Sequence, residues 1–144
     1  MRRHLKPPTC CAALLLAALL PAALLPVIAF AARPPVAPAA VQEWTGRTDA
    51  PLLLDVRTPE EYAAGHLPGA LLIPHDQLAS RLSEIDRDRP VLVYCRSGRR
   101  AGVAEKILNA EGIEVRQIEG SWLRWQAEGR PVETGAQDGA EAGR

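Results

Sequence analysis

The length, composition and charge of the chain limit what it can be. Its 144 residues suffice for one ordinary domain, and an apolar content of 47% argues against global disorder. Basic and acidic residues both number 17, and the resulting formal net charge of zero argues against a nucleic-acid partner.

Residues 1–31 have the features of an export signal. A basic start, MRRHLK, precedes an uncharged stretch rich in Leu and Ala that runs from Cys10 to Ala32. The triplet Ala29-Phe30-Ala31 fits a small-x-small cleavage site, so we expect cleavage near Ala31 or Ala32 and a periplasmic mature protein without stable membrane association. The alternative is an uncleaved membrane anchor, because about 20 apolar residues can span a bilayer.

The rest of the chain is predicted to contain one folded domain between two less regular segments. Residues 32–51 form a Pro- and Ala-rich linker and lead-in, in which VAPAAVQEW is the candidate for a short helix. Residues 52–133 form the domain, with its lead-in from about residue 40. Residues 134–144 lack apolar periodicity and are predicted to be a disordered tail.

Within the domain, short apolar runs alternate with helical patterns. The predicted strands are residues 52–56, 70–74, 90–94 and 115–118, and the predicted helices begin at residue 58 and cover 101–111 and 122–128. Thr58, Pro59 and Glu61 give the first helix a capping box and a proline at its first position. The alternation predicts an α/β fold, a small parallel sheet of four to five strands flanked by helices.

Hydrophobic spacing also predicts which side chains face the core. The spacing of residues 78, 82 and 85 is typical of a helix. In helix 101–111, we expect Val103, Ile107 and Leu108 to point inward. In the last helix, Trp125 is the expected core residue, and Trp122 is expected to be partly exposed.

The loop after the third strand, YCRSGRR, contains a cysteine in a strongly basic setting. Carboxyl ends of parallel strands are where such sheets bind ligands. A tight loop and the following helix N-terminus offer backbone N–H groups to an anion, and Arg96, Arg99 and Arg100 add full charges. Because these groups favour a thiolate over a thiol, we interpret Cys95 as a nucleophile rather than a structural cysteine. Once residues 1–31 are removed it is the one cysteine, so no disulfide can form within the chain.

Three motifs, in this order, resemble those of single-domain rhodaneses, which are thiosulfate sulfurtransferase-like proteins. They are DVRTPEEYAAGHLPGA at 55–70, CRSGRRA at 95–101 and EGSWLRWQAEGRPVE at 119–133. The resemblance implies that Cys95 accepts a sulfane sulfur as a persulfide and passes it to cyanide or a thiol, without a cofactor. It implies a substrate-binding loop made of Arg96, Ser97, Gly98, Arg99 and Arg100. The family's paired glycine reads Gly120-Ser121 here, a departure at a backbone-packing site.

Three further residues are candidates for supporting roles. Asp55 and Arg57 follow the first strand and either position substrate or form an internal ion pair, and we favour the ion pair. His66, in GHLPG, is interpreted as a structural residue of a turn rather than a general base. The histidines lack metal-ligand spacing, so no metal is expected.

Two other functions compete with an enzyme that uses thiosulfate. One is a non-enzymatic persulfide carrier or protein-docking module of the same fold. The other is a phosphatase or arsenate reductase, which the short loop disfavours because related phosphatases need a longer loop for phosphate. An arginine-rich loop suits thiosulfate, a compact dianion. The oligomeric state is left open.

Overall fold

The structure, a computed structural model, describes residues 33–137. The predicted export signal and residues 138–144 of the predicted tail lie outside this range. Within it, no helix has both the length and the apolar character needed to cross a bilayer. The first residues of the predicted tail contact the domain, because Gly135 N–H donates to the Ala63 carbonyl at 3.0 Å and Gln137 Oε1 accepts from Leu72 N–H at 2.8 Å.

The sheet has four parallel strands and confirms the predicted α/β class. The strands are β1 (Leu52–Asp55), β2 (Leu71–Leu72), β3 (Val91–Tyr94) and β4 (Val115–Gln117), in the order β2-β1-β3-β4. A single parallel bridge from Val36 to Ile118 extends the sheet beyond β4, so the lead-in supplies one residue of pairing there. The central position of β3 places its carboxyl end in the middle of one edge.

In the described part of the chain, four α-helices flank the sheet. They are α1 (Pro38–Trp44), α2 (Pro59–Ala64), α3 (Arg99–Ala110) and α4 (Ser121–Ala127). The predicted capping box starts α2, since Thr58 Oγ1 accepts from Glu61 N–H and Glu61 Oε2 accepts from Thr58 N–H. Helix α3 begins two residues earlier than predicted, which shortens the loop after β3.

The segment between β2 and β3 differs from the predicted helix. It forms two 3₁₀ turns, Leu78–Ser80 and Leu82–Glu84, separated at Arg81 by a φ of −118° that an α-helix does not allow. Leu78 and Ile85 are nevertheless buried, so the hydrophobic spacing identified core residues but not the type of helix.

The core lies on both faces of the sheet, and β3 contributes to each face in turn. Val91 and Val93 pack with α3, whereas Leu92 and Tyr94 pack with α1, α2 and α4. Cys95 continues the alternation and therefore belongs to the α3 side. Its side chain is placed beneath the start of the helix that follows it.

The prediction that Val103 of α3 points inward is wrong. Val103 is 47% exposed, and the buried stripe consists of Ala101, Ala104 and Leu108, with Ile107 partly buried. Residues 101, 104 and 108 follow the i, i+3, i+7 spacing, and this register turns Val103 outward.

The prediction that Trp122 is partly exposed is also wrong. Trp122 is 8% exposed, and Trp125 is buried as predicted. The reason is a tertiary contact, because the Arg57 guanidinium lies 4.4 Å from the Trp122 ring centroid and covers it.

Candidate active site

Cys95 lies directly after β3 at the base of a short loop. It is a free thiol, 1% exposed, and its Sγ accepts a hydrogen bond from Gly98 N–H at 3.1 Å. Gly98 has a φ of +100°, a left-handed conformation that glycine adopts without strain. This turn is what directs the Gly98 N–H at the sulfur.

The loop and the start of α3 form an anion-binding arrangement. The first intrahelical hydrogen bond of α3 runs from Gly102 N–H to the Gly98 carbonyl at 2.9 Å. The N–H groups of the turn before Gly102 are therefore not used within the helix, and the positive end of the helix dipole lies beside the loop. Such donors stabilise negative charge on sulfur.

Helix α4 holds the loop in this orientation. Trp122 N–H donates to the Cys95 carbonyl at 3.0 Å, and Leu123 N–H donates to the Arg96 carbonyl at 3.1 Å. Because two loop carbonyls are directed to α4, the loop can present its N–H groups to the sulfur instead. The third motif of the sequence thus completes the site formed by the second.

Arg100 is shared between the loop and a carboxylate on α2. It forms a two-fold ion pair with Glu61, with Nη1 to Oε2 at 2.6 Å and Nη2 to Oε1 at 2.8 Å. The hydrogen bonds from Arg100 lower the pKa of Glu61 to about 2, and the same pair raises the pKa of Arg100, with smaller contributions from Cys95. The capping box was the one role that the sequence indicated for Glu61, and the contact with Arg100 was not predicted.

Arg96 and Arg99 differ from Arg100. Both are exposed, and neither has an ion-pair partner among residues 33–137. Ser97 is also exposed at the outside of the loop. Two arginine charges are thus available at the entrance to the cysteine.

Asp55 and Arg57 form the internal ion pair that the sequence favoured. Arg57 is 2% exposed, and its Nη2 lies 2.6 Å from Asp55 Oδ2 and 2.7 Å from the Gly65 carbonyl. Its guanidinium lies over the rings of Trp122 and Tyr94. The pair connects the end of β1 to the turn that contains His66 and to the start of α4.

His66 has structural contacts, in agreement with the sequence interpretation. It is buried, its Nδ1 lies 2.9 Å from the Tyr62 carbonyl, and its ring stacks on the Tyr62 ring with centroids 3.6 Å apart. Its backbone exchanges two hydrogen bonds with Glu133. These contacts fasten the C-terminal segment to the turn after α2.

A shallow depression of about 240 Å³ opens beside the loop. Its polar lining comes from Arg57, Glu61, Arg96 and Gln126, and its apolar lining includes Trp122 and Leu123. Within residues 33–137, no group of three or more His, Cys, Asp or Glu side chains is placed to hold a metal ion. The depression borders the loop at Arg96.

The part of the sequence that contains this fold and loop is similar to known proteins. The profile of the rhodanese-like domain matches residues 37–128, more than half of the chain. A sulfurtransferase of Allochromatium vinosum is 41% identical over 86 residues, which cover 59% of this chain and 80% of that protein. An HTH-type transcriptional regulator of Mycobacterium tuberculosis is 44% identical over 86 residues, which are 58% of this chain but 38% of the regulator. The chain therefore spans well under half of that relative's length.

A comparison of structures gives the same result. The crystal structure of a rhodanese-related protein from Thermoplasma volcanium is similar with a TM-score of 0.64 and 29% sequence identity. The similarity covers 70% of this chain and 98% of that one. The match of the family model over residues 37–128 shows that the chain belongs to the rhodanese-like domain family, and the structural similarity agrees with it.

Proposed function

We propose that the protein is an exported thiosulfate sulfurtransferase that works through a persulfide on Cys95. The observation that carries the proposal is the hydrogen bond from Gly98 N–H to Cys95 Sγ within a loop that contains Arg96 and Arg99. A backbone donor aimed at the sulfur stabilises the thiolate, and the two arginines attract an anionic sulfur donor.

The chemistry takes two balanced steps. The Cys95 thiolate attacks the outer sulfur of thiosulfate, the sulfur–sulfur bond of thiosulfate breaks, and sulfite leaves with the electron pair. The product is Cys95–S–S⁻. An acceptor thiolate or cyanide then attacks the outer sulfur, takes it as RSS⁻ or thiocyanate, and restores the Cys95 thiolate. No external oxidant or reductant is needed.

The distribution of arginine charge supports thiosulfate as the donor. Glu61 offsets the charge of Arg100, whereas Arg96 and Arg99 are without carboxylate partners among the described residues. Two available positive charges match a compact dianion. The loop N–H groups and Arg96 also stabilise the negative charge that spreads over the transferred sulfur.

A persulfide carrier is the second candidate function. The Cys95 side chain is 1% exposed, which limits the access of an acceptor to the sulfur that it carries. Slow release of sulfur to a protein partner fits such limited access. The M. tuberculosis relative, in which the matched region is a minor part of a longer transcriptional regulator, is compatible with that alternative.

An activity assay separates these candidates. With thiosulfate and cyanide, the purified protein is expected to form thiocyanate over many turnovers, and Cys95→Ser is expected to form none. One equivalent of transferred sulfur without turnover would favour the carrier. Hydrolysis of a phosphate ester by the wild type, lost in Cys95→Ser, would contradict sulfur transfer and favour a phosphatase.

We also propose that residues 1–31 direct export and are then removed. The support is the basic start, the uncharged Leu- and Ala-rich stretch and the Ala29-Phe30-Ala31 triplet. N-terminal sequencing of the protein recovered from cells is expected to begin at Ala32 or Arg33, in the periplasmic fraction. A protein that keeps residue 1 and sediments with membranes would contradict cleavage.

A further inference from the structure

Ser121, the first residue of α4, has an unfavourable backbone conformation and a buried hydroxyl without a hydrogen-bond partner. Its φ of +53° is a left-handed conformation, which disfavours any residue with a side chain. It is 1% exposed, and its hydroxyl is the only buried side-chain polar atom within residues 33–137 that lacks a hydrogen-bond partner. Buried hydroxyls are normally hydrogen-bonded, so this one calls for an explanation. A glycine here would remove both problems.

The unpaired hydroxyl lies against the cysteine loop. A Cβ atom added to Gly98 would lie 3.9 Å from Ser121 Oγ and 3.7 Å from Gln117 Oε1. Gly98 is the residue whose N–H binds Cys95 Sγ, and Trp122, the neighbour of Ser121, binds the Cys95 carbonyl. The hydroxyl therefore lies beside Gly98, whose N–H binds Cys95 Sγ, and Ser121 precedes the residue that binds the Cys95 carbonyl.

The surroundings of Ser121 are held in place. Its own N–H donates to the Ile118 carbonyl at 3.0 Å, which fixes the backbone. Gln117 Nε2 donates to Glu105 Oε2 at 2.6 Å, which fixes the amide beside it. The part of this neighbourhood whose chemistry changes during sulfur transfer is the Cys95 loop.

We propose that Ser121 is a positioning residue for the sulfur-loaded loop, and that its hydroxyl donates a hydrogen bond to that loop once Cys95 carries the extra sulfur. The inference rests on the persulfide chemistry proposed above. A persulfide anion is larger than a thiolate and draws on more of the loop N–H groups, so Gly98 must adjust. Ser121 forms and breaks no covalent bond, and the transfer still converts Cys95–S–S⁻ and RS⁻ into Cys95–S⁻ and RSS⁻.

The consequence is a longer-lived persulfide. The unpaired hydroxyl destabilises the sulfur-free state, and its hydrogen bond stabilises the loaded state, so both effects favour retention of sulfur. A rhodanese-like protein with glycine at this position lacks this contribution. Ser121 therefore adjusts how readily the protein gives its sulfur to an acceptor.

The test compares Ser121→Ala, which removes the hydroxyl, with Ser121→Gly, which also relieves the backbone. Ser83→Ala, at an exposed site distant in sequence from the loop, is the matched control. The chain without residues 1–31, in which Cys95 is the one cysteine, is loaded with inorganic tetrasulfide, and the loss of about 32 Da upon addition of cyanide is followed by intact mass. Both Ser121 variants are expected to discharge about tenfold faster than wild type and Ser83→Ala.

A thermal measurement separates this role from a purely structural one. Sulfur loading is expected to raise the Tm of wild type more than that of either Ser121 variant, because the new hydrogen bond exists only in the loaded state. The Tm of the sulfur-free variants is expected to equal or exceed that of wild type, which shows that they fold.

Two results would overturn the inference alone. One is equal discharge rates and equal Tm shifts in wild type and both variants. The other is a change in Ser121→Gly without a change in Ser121→Ala, which would assign the effect to the backbone. If folded, reduced wild type gains no sulfur from tetrasulfide, the proposed persulfide chemistry itself fails, and the inference fails with it.

Discussion

Arg57 and the pair Arg96 and Arg99 show two opposite uses of arginine within one small domain. Arg57 is buried, is neutralised by Asp55 and lies over aromatic rings. Arg96 and Arg99 are exposed and have no carboxylate partner within residues 33–137. Charge that is already paired holds the frame of the site, whereas unpaired charge remains available for an anionic substrate.

Arg100 is intermediate between these two cases. It belongs to the loop, yet Glu61 on α2 binds it through two hydrogen bonds. We therefore expect different effects on the protein when the carboxylate of Asp55 is removed, when that of Glu61 is removed, and when an unpaired arginine is removed.

Asp55→Asn is expected to cause the greatest loss of stability. The change preserves the shape of the side chain but leaves the Arg57 guanidinium buried without a counter-charge, which costs about 3–5 kcal/mol of unfolding free energy. Urea unfolding measures it. Asp49→Asn is the matched control, because Asp49 also pairs with an arginine two residues away, Arg47, but on the exposed surface. Equal losses of unfolding free energy in Asp55→Asn and Asp49→Asn would show that the buried ion pair contributes no more to stability than the exposed one.

Arg96→Ala is expected to weaken catalysis while the fold stays intact. Loss of an available charge at the loop should lower kcat/KM for thiosulfate about tenfold, and the Tm should not change. Arg87→Ala removes an exposed arginine that is not in the loop and should leave kcat/KM unaltered. A normal kcat/KM in Arg96→Ala would show that its charge is not used for the substrate.

Glu61→Gln is expected to change how stability depends on pH. The pKa of Glu61 is about 2 in the folded protein, below its ordinary value of 4.5, because Arg100 donates two hydrogen bonds to it. Its contribution is therefore complete above pH 4.5 and is lost as the pH falls toward 2.

The variant should be about 1 kcal/mol less stable than wild type at pH 7, and this difference should shrink between pH 4.5 and 2. Unfolding midpoints across that range measure the effect. Glu60→Gln, in the same helical turn but exposed, is the control. Superimposable curves for the two variants would mean that the Arg100 contact adds nothing to stability.

Val103→Gln is expected to have the smallest effect. Because Val103 is exposed on α3, the unfolding free energy should change by less than about 0.5 kcal/mol. Leu108→Ala, on the buried stripe of the same helix, should cost about 2–5 kcal/mol. Similar losses of unfolding free energy in the two variants would indicate that Val103 faces the core, as the sequence predicted.

Local signals explain what the sequence predicted well. The apolar run before Cys95 identified β3, and Thr58 with Glu61 identified the start of α2, because each pattern is complete within a few residues. The basic loop was recognised in the same way. Strand–helix alternation then predicted the parallel sheet, because each connection between neighbouring parallel strands needs room for a crossover.

Tertiary contacts explain what it missed. Glu61 and Arg100 are 39 residues apart, and no local pattern predicts that they meet. Trp122 is buried because Arg57 covers one face of its ring, and the register of α3 that exposes Val103 depends on which residues meet the sheet. The departure from glycine at Ser121 was visible in the sequence, but the isolation of its hydroxyl was not.

The intact mass of the purified, reduced protein after exposure to thiosulfate reports directly whether Cys95 accepts a sulfane sulfur. We expect a gain of about 32 Da in wild type, none in Cys95→Ser, and complete reversal by cyanide or a thiol. A folded, reduced wild type that stays at its original mass would contradict thiosulfate as the sulfur donor of Cys95.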